Sequence, residues 1–548
     1  MIRLEDVKVK KEILQDFFIW LFNDNRILDK SIDLHSEVDF SLSRDYLDSN
    51  IYYPMQFQNF FETKAMKRLG RISQLGLAIN NFPNLYHSRL EHSKGVLNRK
   101  IEELFYNYQN PLWKKYIEDN KLKLILIAEL IKIAGHDIGH PPLSHAFEEQ
   151  VLNSRGSHEE IGKRIMLEDK EIQSLLISIS PDLPNIISEL YDSDILNFKI
   201  HDESSYDVDR LDYLSRDSLY LGFNYELPTQ IYQPICVESI DKKIPKYNSD
   251  YSVNQSNCGN LYIDVYDFSS LPEIEKSLLL REDRYKDVYM SQDTQSYEGC
   301  IKRFIEAFMT DSSSSAGIDF KNFLMHLKNS EIKDIDINEY IGWDEIKLYS
   351  ELLTIAEKHE NPNIRSLATM IIPNIDSFLN LLYSHLNVHS EEDKLSISDK
   401  SFLKKIKSLI TSNSELSNNL RNNNYTLDNT LILPDEFDFT YDETLLTDKI
   451  IKIKSYKTSE PIYIKDASGK IFELSHHPNR SLDWENREIE LHLRYTHIPY
   501  LRYKGFSDDE INILRANSLI NKKNKSEFPI NMSPLKIEHS IEDEFLEL

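Results

Sequence analysis

The chain has 548 residues, 40% of them hydrophobic, which is enough to bury a sizeable core and excludes a disordered protein. Its 64 basic and 90 acidic residues give a net charge of −26, so bulk electrostatic binding to nucleic acid is not supported. Only 14 glycines are present, which disfavours Gly-rich phosphate loops and favours a helix-rich protein.

The sequence predicts a cytoplasmic protein with no membrane partner. Its three cysteines form no CxxC pair, as expected in a reducing compartment. The N-terminal segment is charged throughout and lacks a signal-peptide cleavage site. The longest apolar stretch, 122–134, is interrupted by charged residues and is too short to span a bilayer.

In chain order, the hydrophobic spacing predicts a mainly α-helical protein with two β-containing parts. Helical spacing is most regular from 51 to 235 and returns after 271. Short β-branched runs at 236–272 suggest a small β insertion, and 461–475 predict a hairpin that turns at 466–469. The expected units are an N-terminal helical segment (1–50), a helical core (51–310), a helical extension (311–388), a polar linker or loop (389–425) and a mixed α/β C-terminal appendage (426–548).

Histidines concentrate in one part of the predicted core. Six of the 17 lie between residues 87 and 158, close to aspartates and glutamates, namely His87, His92, His136, His140, His145 and His158. A single histidine is more often an ordinary core or surface residue. A group of imidazoles beside carboxylates is instead what a metal site or an acid–base site requires.

The sharpest motif, GHDIGHPPLSHAFE, covers residues 135–148. It follows the stretch 122–134, whose spacing predicts a helix buried on most faces. A buried Asp137 beside His136 is costly unless it is paired or bound to metal. His140 follows at i+4 and lies on the same side as His136 if helical spacing continues. The two prolines then break the helix, which leaves His145 free to turn back toward the site.

Two further motifs flank this one in the sequence. HSRLEHSKGV, residues 87–96, contains Arg89 and His92 three positions apart. YDVDRLDYLSRDS, residues 206–218, repeats Asp209, Tyr213 and Asp217 every four positions, which predicts one face of a helix. Taken alone, that face is also compatible with a solvated acidic stripe.

The order of these residues along the chain resembles the motif order of a known protein family. His92, the pair His136-Asp137, and Asp209 resemble the H…HD…D pattern of the HD-domain metallophosphohydrolases. The segments RISQLG, FPNLYHSRLEHSKGV, AGHDIGHPPLSHAFE and DVDRLDYLSRDS narrow the resemblance to the deoxynucleoside triphosphate (dNTP) triphosphohydrolases. The resemblance covers about 57–310 and implies an HD-domain helical core.

The resemblance implies a metal site and a reaction. His92, His136, Asp137 and Asp209 would hold a divalent ion, and Mn²⁺, Mg²⁺, Fe²⁺ and Zn²⁺ all suit such ligands. Water would attack the α-phosphorus of a dNTP, which leaves a deoxynucleoside and inorganic triphosphate. His158 would protonate the leaving oxygen. The other catalytic candidates are Glu159 beside it, Glu148 orienting a histidine, and His140.

The resemblance also assigns substrate contacts. His140, His145, Arg89, Arg210 and Arg281 would contact the phosphates, where guanidinium groups suit bidentate recognition. Gln74, with Leu75 beside it, and Asp217 would hold the 3′-hydroxyl, Tyr213 would exclude a 2′-hydroxyl, and Tyr289 would lie near the base. The purely structural alternatives are a salt bridge between Arg210 and Asp207, a helix-surface position for Arg281, and an ordinary helix N-terminal position for His158.

The expected partners are a dNTP substrate and further copies of the chain in a dimer, tetramer or hexamer. Gly70 stands where nucleotide-regulated relatives carry an arginine, so guanine-nucleotide activation cannot be carried over and a nucleotide activator stays open. Depletion of dNTPs against phage is one plausible setting. The alternatives are an HD phosphohydrolase for a phosphomonoester, alarmone or cyclic nucleotide, and a non-catalytic nucleotide sensor.

Overall fold

A computed structural model describes most of the chain, in several ranges. These are residues 7–28, 40–45, 49–82, 84–119, 121–152, 157–192, 207–223, 235–237, 246–255, 261–263, 265–373, 448–454, 456 and 461–494. The polar linker predicted at 389–425 lies outside the described residues, as does the C-terminal appendage apart from 448–454, 456 and 461–494.

The described residues are mostly helical, which confirms the predicted fold class. The first eleven helices are α1 Val7–Phe22, α2 Met55–Phe61, α3 Lys64–Leu69, α4 Arg89–Tyr108, α5 Pro111–Asp119, α6 Lys123–Ala134, α7 His145–Val151, α8 Ser157–Glu168, α9 Lys170–Ile179, α10 Leu183–Asp192 and α11 Val208–Tyr220. They are followed by α12 Leu271–Arg284, α13 Gln292–Thr310, α14 Ile318–Asn329, α15 Ile337–Tyr340, α16 Glu345–Lys358 and α17 Pro362–Ile371. A π-helical turn, Tyr285–Tyr289, continues α12.

Side chains fix where the helices of the candidate site begin and end. At the start of α4, the Ser88 hydroxyl accepts from the backbone N–H of Glu91, whose carboxylate accepts from the Ser88 N–H. The Asp207 carboxylate accepts from the backbone N–H of Arg210 and so caps α11. α6 ends at Gly135, where the backbone leaves the helical conformation. The residues that follow Gly135 are therefore free to form a separate turn.

In the described ranges, nine short strands form four small sheets. They are β1 Phe40–Asp45, β2 Ser49–Pro54, β3 Ile235–Val237, β4 Leu261–Ile263, β5 Val265–Tyr266, β6 Asp448–Lys454, β7 Tyr463–Lys465, β8 Ile471–Glu473 and β9 Glu488–Arg494. The pairs β1–β2, β3–β4, β6–β9 and β7–β8 are antiparallel. β5 pairs in parallel with β7, with Val265 opposite Tyr463. The predicted β insertion and the predicted C-terminal hairpin therefore share one sheet.

The two largest hydrophobic clusters among the described residues hold most of these elements together. The larger core takes buried residues from β2, α1 to α10 and α13 to α17, so the predicted helical extension packs with the helices of the site. The smaller core joins α11 and α12 to β5, β7 and the segment that ends at Trp484. None of the helices in the described ranges is both long enough and apolar enough to cross a bilayer.

The structure refines two local expectations. Within 51–235, where helical spacing is most regular, residues 57–76 do not form one helix, because α2 ends at Phe61 and α3 ends at Leu69. The hairpin predicted at 461–475 is present. Its turn closes through a bond from the Gly469 N–H to the Asp466 carbonyl, and Gly469 has a positive φ of 88° that glycine adopts without strain.

Candidate metal and active site

Three helices bring the four candidate metal ligands together. His92 lies near the start of α4 and Asp209 near the start of α11, while His136 and Asp137 directly follow the end of α6. α4 packs against both α6 and α11. The two helix starts and the one helix end therefore meet at a single point.

The ligand atoms lie at distances that suit one ion. Nε2 of His92 is 2.8 Å from Oδ1 of Asp209 and 3.2 Å from Nε2 of His136. Asp137 is close to both histidines, at 3.5 Å from His136 and 3.9 Å from His92. Two ligands that are each about 2 Å from a metal lie about 3 Å apart, so the spacing of His92, His136 and Asp209 fits coordination, and Asp137 lies beside this group.

Hydrogen bonds orient both histidines for this role. Nδ1 of His92 lies 2.9 Å from the buried carboxylate of Asp212, and Nδ1 of His136 lies 2.8 Å from the carbonyl of Ile133. A ring N–H that is donated to a carboxylate or a carbonyl leaves Nε2 with its lone pair free, as metal ligation requires. Arg216 donates in turn to Asp212 and holds that carboxylate in place.

The charges at this cluster favour a cation. Burial lowers the pKa of His136, but the charges of Asp137 and Asp209 outweigh this effect and raise the pKa to about 10. Burial likewise raises the pKa of Asp209, yet the hydrogen bonds and charges of His136 and His92 bring it below its ordinary value. A field that favours a proton on His136 also favours a divalent ion, so the residues fit a metal.

A second cluster lies next to the first and contains His140, His145, Glu148 and His158, whose nitrogen and oxygen atoms lie within 4.8 Å of one another. The rings of His140 and His158 stack with their centroids 3.8 Å apart. Nε2 of His140 lies 3.2 Å from Asp137, which joins the two clusters.

The position of His140 corrects one expectation. Helical spacing does not continue from His136, because α6 ends at Ala134 and single turns carry the chain from 135 to 140. His140 therefore contacts His158 instead of continuing the face of His136. Burial, with the charges of Arg89 and His158, keeps the pKa of His140 well below its ordinary value.

Glu148 organises the second cluster. Its Oε1 lies 3.0 Å from Nδ1 of His158 and accepts from the His158 backbone N–H at 2.7 Å. Its Oε2 lies 3.0 Å from Nδ1 of His145. Burial raises the pKa of Glu148, but the hydrogen bonds from these histidines outweigh it and hold the pKa below its ordinary value. Burial also lowers the pKa of His145 to about 4.

The two candidate carboxylates beside His158 are placed differently. Glu159 is exposed on α8, and Glu148 is fully buried and faces the imidazole. The geometry therefore favours Glu148 as the group that orients His158.

Arg89 lies between the metal cluster and the predicted sugar end. Its guanidinium donates to Oδ2 of Asp137 at 2.7 Å, to Oγ of Ser144 at 2.9 Å and to the carbonyl of Gln74 at 3.1 Å. Leu75, beside Gln74, is partly buried. The guanidinium charge helps to lower the pKa of Asp137 against the opposing effect of burial. Arg89 thus keeps a positive charge next to the candidate metal ligands.

Most of this face of α11 is buried, with Asp209 partly exposed, so a solvated acidic stripe does not describe it. Asp217 is fully buried, and the Tyr289 hydroxyl donates to its Oδ2 at 2.5 Å. Tyr213 is 7% exposed, and its ring centroid lies 6.3 Å from that of Tyr289. His87 lies against the other oxygen of Asp217, at 2.8 Å. Tyr213, Asp217 and Tyr289 are therefore brought together, as the resemblance implies for sugar and base contacts.

The remaining candidate arginines lie close to Tyr213. Arg281 is buried, donates to the carbonyl of Lys454 at 3.0 Å and lies over the ring of Tyr285, so the helix-surface alternative does not describe it. Arg210 lies 3.9 Å from the Asp207 carboxylate, which is the salt bridge given as its alternative. Burial raises the pKa of Tyr213, and the positive charges of both arginines oppose that increase.

Several residues that support the site were not singled out by the sequence motifs. Asp212 lies inside the motif at 206–218, and its position four residues before Arg216 is the signal that could have identified a buried pair. Arg68 donates to the carbonyls of Ile138 and His140, and the Tyr340 hydroxyl donates to that of Gly139 at 2.6 Å. These last contacts join distant parts of the chain and have no local signal.

Comparisons with known proteins found relatives that match part of the chain. No protein-family profile matches the chain. It is 31% identical over 249 residues to an HD domain-containing protein of Acanthamoeba polyphaga mimivirus, which is 40% of this chain and 52% of that protein. It is 32% identical over 218 residues to the deoxynucleoside triphosphate triphosphohydrolase SAMHD1 homolog of Dictyostelium discoideum, which is 35% of this chain and 39% of the relative. The chain thus spans about half of each relative or less.

The fold is also shared with a solved structure. The crystal structure of a phosphohydrolase from Bacteroides thetaiotaomicron aligns over 82% of this chain and 98% of its own, with a TM-score of 0.52 and 17% identity. At that identity the likeness concerns the fold alone. The helical fold, the clustered histidines and aspartates, and the two relatives support an HD-domain, dNTPase-like protein at modest sequence identity.

Proposed function

We propose that the protein is a metal-dependent phosphohydrolase that converts dNTPs to deoxynucleosides and inorganic triphosphate. The proposal rests on the resemblance in the four motifs, on the named relatives and on the site geometry. A cytoplasmic homo-oligomer that depletes dNTPs against phage belongs to the same proposal.

One observation carries the proposal. Asp209, Tyr213 and Asp217 lie along a single face of α11. Asp209 is at the metal cluster and Tyr213 is in the middle. Asp217, at the far end, contacts His87 and Tyr289. Four residues of helix advance about 6 Å, so the face spans about 12 Å. That length suits a substrate with phosphate at one end and a sugar at the other.

In the proposed reaction, different side chains would hold the metal and protonate the leaving group. A divalent ion held by His92, His136, Asp137 and Asp209 would polarise a phosphoryl oxygen and lower the pKa of a water. His158 has its Nδ1 against Glu148, which leaves Nε2 as the atom that protonates the leaving 5′-oxygen.

The remaining charges and rings would bind the nucleotide. Arg89, Arg210 and Arg281 supply positive charge to the triphosphate in an otherwise acidic protein. Tyr213 would pack against the sugar and exclude a 2′-hydroxyl, and therefore ribonucleotides, by contact.

Product analysis tests the proposal. The purified protein is incubated with each dNTP and NTP, singly and mixed, with Mn²⁺ or Mg²⁺, and the products are separated by anion exchange. We expect deoxynucleoside and intact triphosphate from dNTPs, and neither product from the His136→Ala variant. A His326→Ala variant, changed in α14 outside both clusters, serves as the matched control.

Other products would contradict the proposal. Monophosphate with pyrophosphate, or phosphate alone, would indicate a different HD phosphohydrolase. Nucleotide binding without turnover in any mixture would favour the sensor. Loss of ribonucleotide rejection in Tyr213→Ala would support the sugar assignment, and unchanged rejection would overturn it.

A further inference from the structure

His87 is buried beside the site, and the proposed reaction gives it no role. It is 0% exposed and lies just before α4, between Tyr86 and the capping residue Ser88. Its ring packs against Tyr220 of α11, with the centroids 4.6 Å apart and the planes 31° apart. A buried imidazole in a fixed orientation holds its partners in a fixed orientation as well.

Both polar parts of His87 meet residues of the proposed sugar site. Nε2 of the ring lies 2.8 Å from Oδ1 of Asp217. The backbone carbonyl accepts from the N–H of Gln74 at 3.0 Å, next to the isolated bridge between Ser73 and Ser88. One residue therefore connects Gln74 and Asp217, which lie far apart in the sequence.

The two connected side chains retain capacity for a ligand. Oδ2 of Asp217 accepts from the Tyr289 hydroxyl, while Oδ1 lies 2.8 Å from Nε2 of His87 outside hydrogen-bonding geometry and has no hydrogen-bond partner in the described part of the chain. Two carboxylate oxygens accept up to about four hydrogen bonds, which leaves room for a further donor. Oε1 of Gln74 is buried and has no hydrogen-bond partner among the described residues. A substrate hydroxyl would satisfy these groups.

We propose that His87 is a positioning residue for recognition of the 3′-hydroxyl of the nucleotide sugar. It fixes the Asp217 carboxylate through its ring and the Gln74 backbone through its carbonyl. This inference rests on the proposed function, because it takes a nucleotide as the ligand of the site. The residue acts through Gln74 and Asp217 and does not itself touch the reacting atoms.

Binding measurements test the inference without turnover. The probes are the α,β-imido analogues of the four dNTPs and of their 2′,3′-dideoxy counterparts, titrated calorimetrically into the metal-loaded full chain. We expect the wild-type protein to bind the 3′-hydroxyl form at least about 10-fold more tightly, since a site built around a hydroxyl rejects the analogue that lacks it.

Two variants separate positioning from folding. His87→Phe keeps a ring against Tyr220 and removes the nitrogen, so the preference for the 3′-hydroxyl should fall by about 10-fold or more. His87→Gln keeps an N–H that can reach the carboxylate and should restore part of the preference. His359→Phe replaces another buried histidine outside both clusters and should leave the preference unchanged. Melting temperatures of all three variants are compared.

The outcomes are distinct for the two proposals. Three outcomes would overturn the role of His87. The wild type could bind the 3′-hydroxyl and dideoxy forms equally, His87→Phe could keep the wild-type preference, or His87→Phe could lose the same affinity for both forms. Turnover of dNTPs by the wild type is measured separately. A preference that His87→Phe abolishes, in a protein that hydrolyses no dNTP, would support the positioning role and contradict the proposed function.

Discussion

His92 and His140 are both buried in the candidate site, but their surroundings shift their pKa values in opposite directions. Burial lowers the pKa of His92, yet its hydrogen bonds to Asp209 and Asp212 outweigh this and raise it. For His140, burial and the charges of Arg89 and His158 lower the pKa together. One cluster therefore attracts positive charge, whereas the surroundings of His140 disfavour a proton on its ring.

At the residue scale, Asp212 should control metal affinity without touching the metal. We expect Asp212→Asn to weaken the binding of Mn²⁺ by about 10–100-fold, because the ring of His92 loses the carboxylate that fixes its orientation. The measurement is competitive metal titration of the purified protein, with the melting temperature recorded alongside.

A matched variant distinguishes this effect from a loss of stability. Asp344 is another buried carboxylate, which pairs with Arg71 at 2.6 Å and lies outside both clusters. Asp344→Asn should lower the melting temperature and leave Mn²⁺ affinity unchanged. Equal affinity in the wild type and Asp212→Asn would contradict the assigned role of Asp212.

Glu148 gives the second prediction at this scale. Glu148→Gln replaces one acceptor oxygen by an amide and disturbs His145, His158 or both. We expect turnover to fall by about 10²–10⁴-fold with metal content retained, as for loss of an oriented acid–base group. Steady-state kinetics and metal analysis provide the measurement.

The neighbouring carboxylates make the assignment specific. Glu160→Gln on the exposed side of α8 should leave turnover unchanged. Glu159→Gln tests the other candidate from the sequence. A larger loss in Glu159→Gln than in Glu148→Gln would show that the exposed carboxylate, and not the buried one, supports His158.

At the scale of elements, α8 is held against the turn that follows α6. A Cβ at Gly139 would collide with the carbonyl of His158 and the backbone N–H of Gly162, so only glycine permits this approach. Gly139→Ala should push α8 away, lower stability by about 1–3 kcal/mol and displace His158. Chemical denaturation and turnover are the measurements.

Gly162 on the facing helix is the matched control. A Cβ there would make ordinary contacts, with the nearest atom 3.4 Å away. Alanine is the better helix former, so Gly162→Ala should keep or raise the free energy of unfolding by up to about 1 kcal/mol. Similar losses in both variants would mean that the close contact at Gly139 does not determine the position of α8.

At the scale of the whole molecule, the described C-terminal strands share a core with the site. Trp484 is fully buried, and its indole N–H donates to Glu275 of α12 at 2.7 Å. Arg487 forms two bonds to Glu282 on the same helix, and Lys454 accepts from Arg281. α12 is therefore held between α11 and the C-terminal strands.

Removal of the buried indole tests this arrangement. Trp484→Ala should destabilise the protein by about 3–5 kcal/mol, because it leaves a cavity and a buried carboxylate without one of its donors. The loss should appear in the main unfolding transition measured by calorimetry. Tyr251→Ala, at a residue that is 61% exposed, should change stability little. A separate early transition with an unchanged main one would show that the strands unfold on their own.

Much of the local structure could be predicted because it has local causes. The apolar stretch at 122–134 is a helix, the residues at 209, 213 and 217 share a helical face, and the 466–469 turn closes a hairpin. A helical period of 3.6 residues and the preference of glycine for positive φ act over a few residues. The end of α6 was harder to predict, since Gly135 stops the helix before the prolines do.

The kinds of candidate metal ligand, their order along the chain and a mostly helical fold could all be predicted from the sequence. Which partners meet depended on the folded chain: Asp212 with His92, 120 residues away, His87 with Asp217, and Glu148 instead of Glu159 with His158. Ligand type and helical spacing are properties of short segments. Contacts between distant residues depend on how the helices pack, because burial selects a partner for each polar group.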